Sequence, residues 1–185
     1  RPQRITVIED GRMRRLAWRW ATWQTPILIL FCIVWDSFLF FWYATAVASI
    51  ADGKPVPLMM LVFPVLHVAA GVAMTYYAAA SVINTTSVEV TEGEVRVHHG
   101  PLPWPGSRVL QSKQIDQVYC TEGGGWPQWS QRGRIVYKVQ AAMVDGSSVD
   151  LLRQVPDIGM ALYVEFAIED QLGIEDRAVR GEVGR

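Results

Sequence analysis

The polarity of the chain changes period once it leaves its apolar first half. Two long apolar runs, residues 26–51 and 57–83, are separated by Asp52-Gly53-Lys54-Pro55. At about 1.5 Å per residue each run makes roughly 37 Å of helix, enough to cross a hydrocarbon core of about 30 Å with some tilt. Pro64 is expected to kink or break the second run, a defect that neighbouring helices in a membrane can repair. Two spans and a tight connection predict a helical hairpin with both flanks on one side. Beyond residue 84 the period becomes two. Val88 and Val90, then Glu92-Gly93, then Val95 and Val97 predict a β-hairpin.

The rest of the C-terminal half continues in that style. Pro101-Leu102-Pro103-Trp104-Pro105-Gly106 is a rigid connection that must leave the sheet. Strands are expected at 108–111 and 115–120. Ile135, Tyr137, Val139 and Ala141 alternate, and Asp145-Gly146 turns the chain into 149–152. Residues 157–172 switch to helical spacing, with Ala161, Val164, Ile168 and Leu172 on one stripe, Asp157 as N-cap and Gly173 as stop. At the N-terminus, Asp10-Gly11 between 5–8 and 13–20 predicts another hairpin, packed on the C-terminal sheet or lying at a membrane surface. The expected organisation is a basic, aromatic hairpin over 1–23, two spans within 24–84, a β-domain with one C-terminal helix over 85–174, and a polar tail over 175–185.

Charge sharpens this picture. Residues 1–19 hold six arginines against Glu9 and Asp10, residues 20–83 hold only Asp36, Asp52 and Lys54, and residues 84–185 hold ten basic and fourteen acidic side chains. A stretch of 64 residues with three charges excludes an ordinary soluble globule. Arg12, Arg14, Arg15 and Arg19 before the first span, against Lys54 alone in the connection, place both termini in the cytoplasm by the positive-inside rule. The expected location is the bacterial inner membrane. Trp18, Trp20 and Trp23 stand at the same entrance, where indoles favour the headgroup layer. The first run is too long for a cleaved signal peptide and lacks a small-residue cleavage pattern. The chain starts at Arg1 rather than Met, which leaves room for a preceding segment.

A short β-meander closed by one helix is the order of pleckstrin-homology-like domains. Residues 87–100 (SVEVTEGEVRVHHG) and 108–118 (RVLQSKQIDQV), with Gly100 and the later pair Ile115 and Val118, resemble the bacterial PH-like domains of small membrane proteins. The resemblance covers about residues 85–174, and a helical hairpin before such a domain is similar to that group too. The proline-rich segment 101–106 and Gly123–Gly125 depart from the pattern. The resemblance implies an α+β PH-like domain and an adaptor or assembly role, without an established activity.

Few residues invite chemistry. Asp36 lies about ten residues inside a span, where an ionisable group costs at least ~2.5–3.5 kcal/mol and invites a functional reading. Its bland reading is an acid that glues helices, its sharper one a proton or ion path. His67 shares a four-residue stripe with Gly71, Thr75 and Ala79, small residues that let helices approach closely. It reads as a packed histidine or as an axial ligand to haem or a chlorophyll-type pigment. Counted along straight helices, Asp36 and His67 differ in depth by about 9 Å, too much for a direct hydrogen bond. His98 and His99 point to opposite faces of a strand and read as surface residues. Cys32 and Cys120 make no disulfide framework or zinc motif, and Cys120 lacks a recognisable Cys–His pairing. Gly123-Gly124-Gly125 is not a phosphate loop. With Trp126, Trp129, Arg132 and Arg134 it makes an aromatic–basic loop suited to a membrane or partner surface. Nucleic acid is disfavoured by the net acidic C-terminal half.

These readings converge on a membrane helical hairpin with a cytoplasmic PH-like domain, acting without catalysis as an interaction or assembly subunit of a larger membrane complex. The expected partners are the lipid bilayer and other membrane subunits, with no cofactor or metal required. Alternatives are an accessory subunit of an energy-transducing complex, photosynthetic or respiratory, that holds haem or pigment through His67, and an intramembrane proton or ion path through Asp36.

Overall fold

The structure is a computed structural model that describes residues 4–123, 135–175, 177, 179 and 181–183. It divides into two compact units, Arg19–Asn84 and Arg1–Trp18 with Thr85–Arg185.

The first unit is helical. α1 spans Thr25–Ala51, with Pro26 in its opening turn, where a missing N–H costs nothing. Gly53, at φ 70°, carries the chain out of it. The second apolar run breaks at Pro64, as its ring and missing N–H require, into α2 (Leu58–Val62) and α3 (Val65–Ile83). Both runs are long and apolar enough to cross a membrane, and only 11% of each apolar window is buried within the structure. Their hydrophobic side chains point outward, Leu30, Phe40, Leu66 and Val72 among them.

The second unit is an antiparallel body with one long helix. β1 (Thr6–Asp10), β2 (Met13–Arg19), β3 (Thr85–Thr91), β4 (Glu94–Gly100) and β5 (Arg108–Gln111) form one sheet in that order. β6 (Ile115–Gly123), β7 (Val136–Met143) and β8 (Ser148–Val155) form the other, and α4 spans Ile158–Leu172. The β3/β4 hairpin sets Val88 opposite Val97 and Val90 opposite Val95, all four in the core. Of the two placements open to the N-terminal hairpin, the structure takes the sheet. Leu16 is fully buried in the same core, and Arg15 ion-pairs with Glu89 on β3 at 3.3 Å. Arg14 bridges Glu9 and, on α4, Asp170.

α4 is capped as its ends require. Asp157 Oδ1 accepts from the Met160 N–H at 2.9 Å, and Gly173 closes the helix at φ 68°, a left-handed value that suits glycine. Ala161, Val164 and Ile168 are buried against the sheets and Leu172 partly so. The alternation read through β7 holds at Tyr137, partly buried against the core, and onward, but not at Ile135, which precedes the strand. Val139 and Ala141 face the core, but Ile135 is exposed and Val136 buried instead. Register shifts between Tyr137 and Val139 and between Val139 and Gln140 each place an extra residue on β8, while β7 pairs regularly with β6 from Val136 to Ala142. The described tail residues are tied to β6, with Arg177 on Asp116 at 2.9 Å and the Val183 N–H on the Cys120 carbonyl at 2.9 Å.

Candidate functional site

The polar residues of the hairpin fall into two layers. The first is built on Asp36. The Thr75 hydroxyl donates to Asp36 Oδ2 at 2.7 Å. Helix rise explains why these two meet. Asp36 lies about 16 Å from the start of α1 and Thr75 about 12 Å from the end of α3, a difference of about 4 Å that side-chain reach closes in an antiparallel pair. Gly71, one turn earlier, lets the helices close: a Cβ there would come within 2.9 Å of Asp36 Oδ1 and 3.2 Å of the Trp35 ring. The expected small-residue stripe is therefore an internal packing face at Gly71 and Thr75.

The second layer surrounds the break at Pro64. A proline leaves the carbonyl four residues before it without its helical donor, here Met60. Trp42 Nε1 donates to that oxygen at 2.9 Å, and the Tyr43 hydroxyl donates to Leu61 O at 3.2 Å. Two adjacent aromatic side chains of α1 thus satisfy the carbonyls freed by the break. Trp35, one heptad before Trp42, donates to His67 O at 3.2 Å.

His67 does not meet Asp36 through any described hydrogen bond. Its ring stacks on Trp35, centroids 5.7 Å apart, and tilts against Phe63 at 5.0 Å. Its Nδ1 is buried without a hydrogen-bond partner among the described residues. A ligating histidine commonly donates its second ring N–H to a carbonyl or carboxylate, which orients the ring. Here aromatic stacking does the orienting.

Beside the Asp36 layer lies an open groove of about 1010 Å³. Leu39, Phe40, Tyr43 and Val47 line it from α1, and Val68, Val72, Tyr76 and Ala79 from α3. Asp36 and Thr75 line it too, and with the Tyr43 and Tyr76 hydroxyls they are its polar groups. This arrangement is suited to receiving an apolar rod with a hydrogen-bonding group at one level.

The sheet unit holds a buried polar cluster that the sequence did not reveal. Glu165 and Glu169 sit one turn apart on the inner face of α4 and are fully or nearly fully buried. Glu169 Oε1 accepts from Gln117 Nε2 at 2.6 Å and from the Val118 N–H at 3.4 Å. Cys120 is buried beside Glu165. Burial first, then the hydrogen bond and charge of Glu165, push its thiol far above the ordinary range, so it is held as a thiol.

Of the tryptophans expected at a membrane interface, Trp23 is strongly exposed, while Trp18 packs against the core of the sheet unit. Trp126, Trp129, Arg132 and Arg134 lie outside the described residues. Among the described residues no three His, Cys, Asp or Glu side chains gather as a metal site. No family model matches the sequence, and no curated protein matches it either.

Proposed function

We propose that the chain is a non-catalytic, membrane-anchored assembly subunit, with the helical hairpin in a bacterial inner membrane and a PH-like unit on its cytoplasmic side. The supporting observation is the groove along α1 and α3 with Asp36 and Thr75 on its wall. In hydrocarbon a half-exposed carboxyl is costly, and helices there associate through close packing and a few interhelical hydrogen bonds. A transmembrane helix of another subunit, with small side chains along the seam and a hydroxyl or amide at the level of Asp36, would relieve that cost.

Mild-detergent purification of the full chain, with the co-purifying membrane subunit quantified, tests this reading. Replacing Ala79 by Phe fills the groove without touching the Asp36–Thr75 bond and should cut recovery of the partner at least about tenfold, a loss of ~1.4 kcal/mol. Unchanged recovery with normal insertion overturns the groove as docking site. A visible absorption band lost in His67→Leu would instead favour haem or pigment ligation. A pH-dependent ion flux lost in Asp36→Asn would favour a proton path.

A further inference from the structure

β1 is an end strand of its sheet. It pairs with β2 on one side, and among the described residues no strand covers the other. Thr6, Ile8, Glu9 and Asp10 are exposed, Ile8 by 53%. The Gly11-Arg12 turn closes on the Asp10–Met13 pair, so Asp10, Ile8 and Thr6 exchange backbone bonds with β2. By the same alternation Val7 and Glu9 direct their N–H and C=O groups to the open side. An open edge of this kind is a template for another strand unless the protein guards it. Here the charges that bracket the strand, Arg4 before it and Asp10 at its end, are opposite in sign. Glu9, the remaining charge, is already held by Arg14 at 3.1 Å.

We propose that two copies of this chain pair antiparallel along β1, edge to edge, joining their five-stranded sheets into one. Charge complementarity names the occupant and fixes the register. With Val7 on a twofold axis, Thr6 stands opposite Ile8 of the second copy and Arg4 opposite its Asp10. Symmetry makes each of these contacts twice. Val7 exchanges its N–H and C=O with its own counterpart, and every side chain keeps its face of the sheet. Exposed Ile8 gains a cross-strand neighbour on the outer face.

Other pairings lose this match. An axis at Thr6 sets Arg4 against Ile8, and an axis at Ile8 sets Asp10 against Thr6, so both ion pairs vanish. A parallel pairing in register puts Arg4 beside Arg4 and Asp10 beside Asp10, and like charges across strands oppose pairing. The antiparallel pair uses one edge on both copies and therefore closes at two. It does not involve the groove between α1 and α3, so it stands or falls apart from the docking reading above.

The test uses the full chain in mild detergent, with protein molar mass read by light scattering over a dilution series. The unaltered chain should form a dimer that dissociates on dilution. Arg4→Glu and Asp10→Arg, both at exposed positions, should each weaken it at least about tenfold, since two attractions become two repulsions. Mixed in equal amounts, the two variants should recover the dimer, because opposite charges then face each other across the axis again. Oxidation with copper phenanthroline reads the register. Thr6→Cys with Ile8→Cys should give a covalent dimer, whereas Ile8→Cys alone should not, its counterpart lying a diagonal step away and beyond disulfide reach. Cys32 and Cys120 are buried. Should a charge variant lose its fold by circular dichroism, the cysteine pair decides. A monomer at every concentration overturns the proposal, as does a dimer that both charge variants leave intact. A dimer lost in Ala79→Phe but kept in Arg4→Glu assigns self-association to the groove and overturns it too. A covalent dimer from Ile8→Cys alone moves the axis and defeats the Arg4–Asp10 pairing.

Discussion

At the scale of single residues, Asp36 is held by one hydroxyl and one missing side chain. Asn at position 36 still accepts from Thr75, so Asp36→Asn should keep the hairpin folded in detergent by circular dichroism and thermal melting. Gly71→Leu should not: even a Cβ meets Asp36 Oδ1 at 2.9 Å, so the helices must separate along the whole contact. A melting midpoint unchanged in Gly71→Leu would show that the two helices do not pack at that point. His99 gives a pH signature. Its folded pKa lies below the 6.5 of a free imidazole, so the unfolded chain binds the proton more readily. Stability from this source is complete above about pH 6.5 and declines as pH falls toward the folded value. Denaturant midpoints of the detergent-solubilised chain should therefore drop on acidification, and His99→Gln should flatten that slope.

At the scale of elements, the break at Pro64 and the aromatic pair on α1 form a coupled unit. Trp42→Phe removes the indole donor and leaves the Met60 carbonyl exposed, at a cost of about 1–3 kcal/mol if nothing replaces it. Pro64→Ala restores a helical N–H to the same oxygen, so the Trp42→Phe cost should shrink in that background. Additive melting shifts in a double-mutant cycle would mean that the two donors do not share one acceptor. This break was legible because proline acts through its own covalent structure. Its repair by Trp42 and Tyr43 was not, since a span of nearly uniform hydrophobicity gives no sign of which face meets its neighbour. α4 shows the complementary limit. Its caps and its Ala161, Val164, Ile168 stripe could be read from local spacing. Glu165 and Glu169 could not, because carboxylates at helical spacing ordinarily mark a solvated face. Only the partners on β6, Gln117 and the Val118 N–H, reveal why an acid is placed inward. Glu169→Ala should destabilise the sheet unit by about 1–3 kcal/mol by leaving those donors unpaired. Glu169→Gln, which keeps an acceptor, should cost less in the same denaturant titration.

At the scale of the whole molecule, the proposed membrane placement raises the question of which side each terminus would occupy. The apolar runs are equally able to cross in either direction, so orientation is decided by the flanks. Arg12, Arg14, Arg15 and Arg19 precede α1 and Lys54 alone lies in the turn. Two of the four arginines are engaged in the fold, Arg14 with Glu9 and Asp170 and Arg15 with Glu89. The positive-inside rule counts lysine and arginine rather than net charge, so their ion pairs leave the bias in place. A second constraint comes from the fold itself. β1 and β2 precede α1, while β3 to β8 and α4 follow α3, yet they share one core through Ile5 and Leu16. A single sheet cannot have strands on both sides of a bilayer, so the two segments must lie on the same side and the number of crossings between them must be even. The expected outcome is that an impermeant thiol reagent applied to intact cells modifies Gly53→Cys and spares Val179→Cys until the membrane is opened. Labelling of Val179→Cys alone would invert the orientation while keeping two crossings. Labelling of both positions would remove the helices from the membrane.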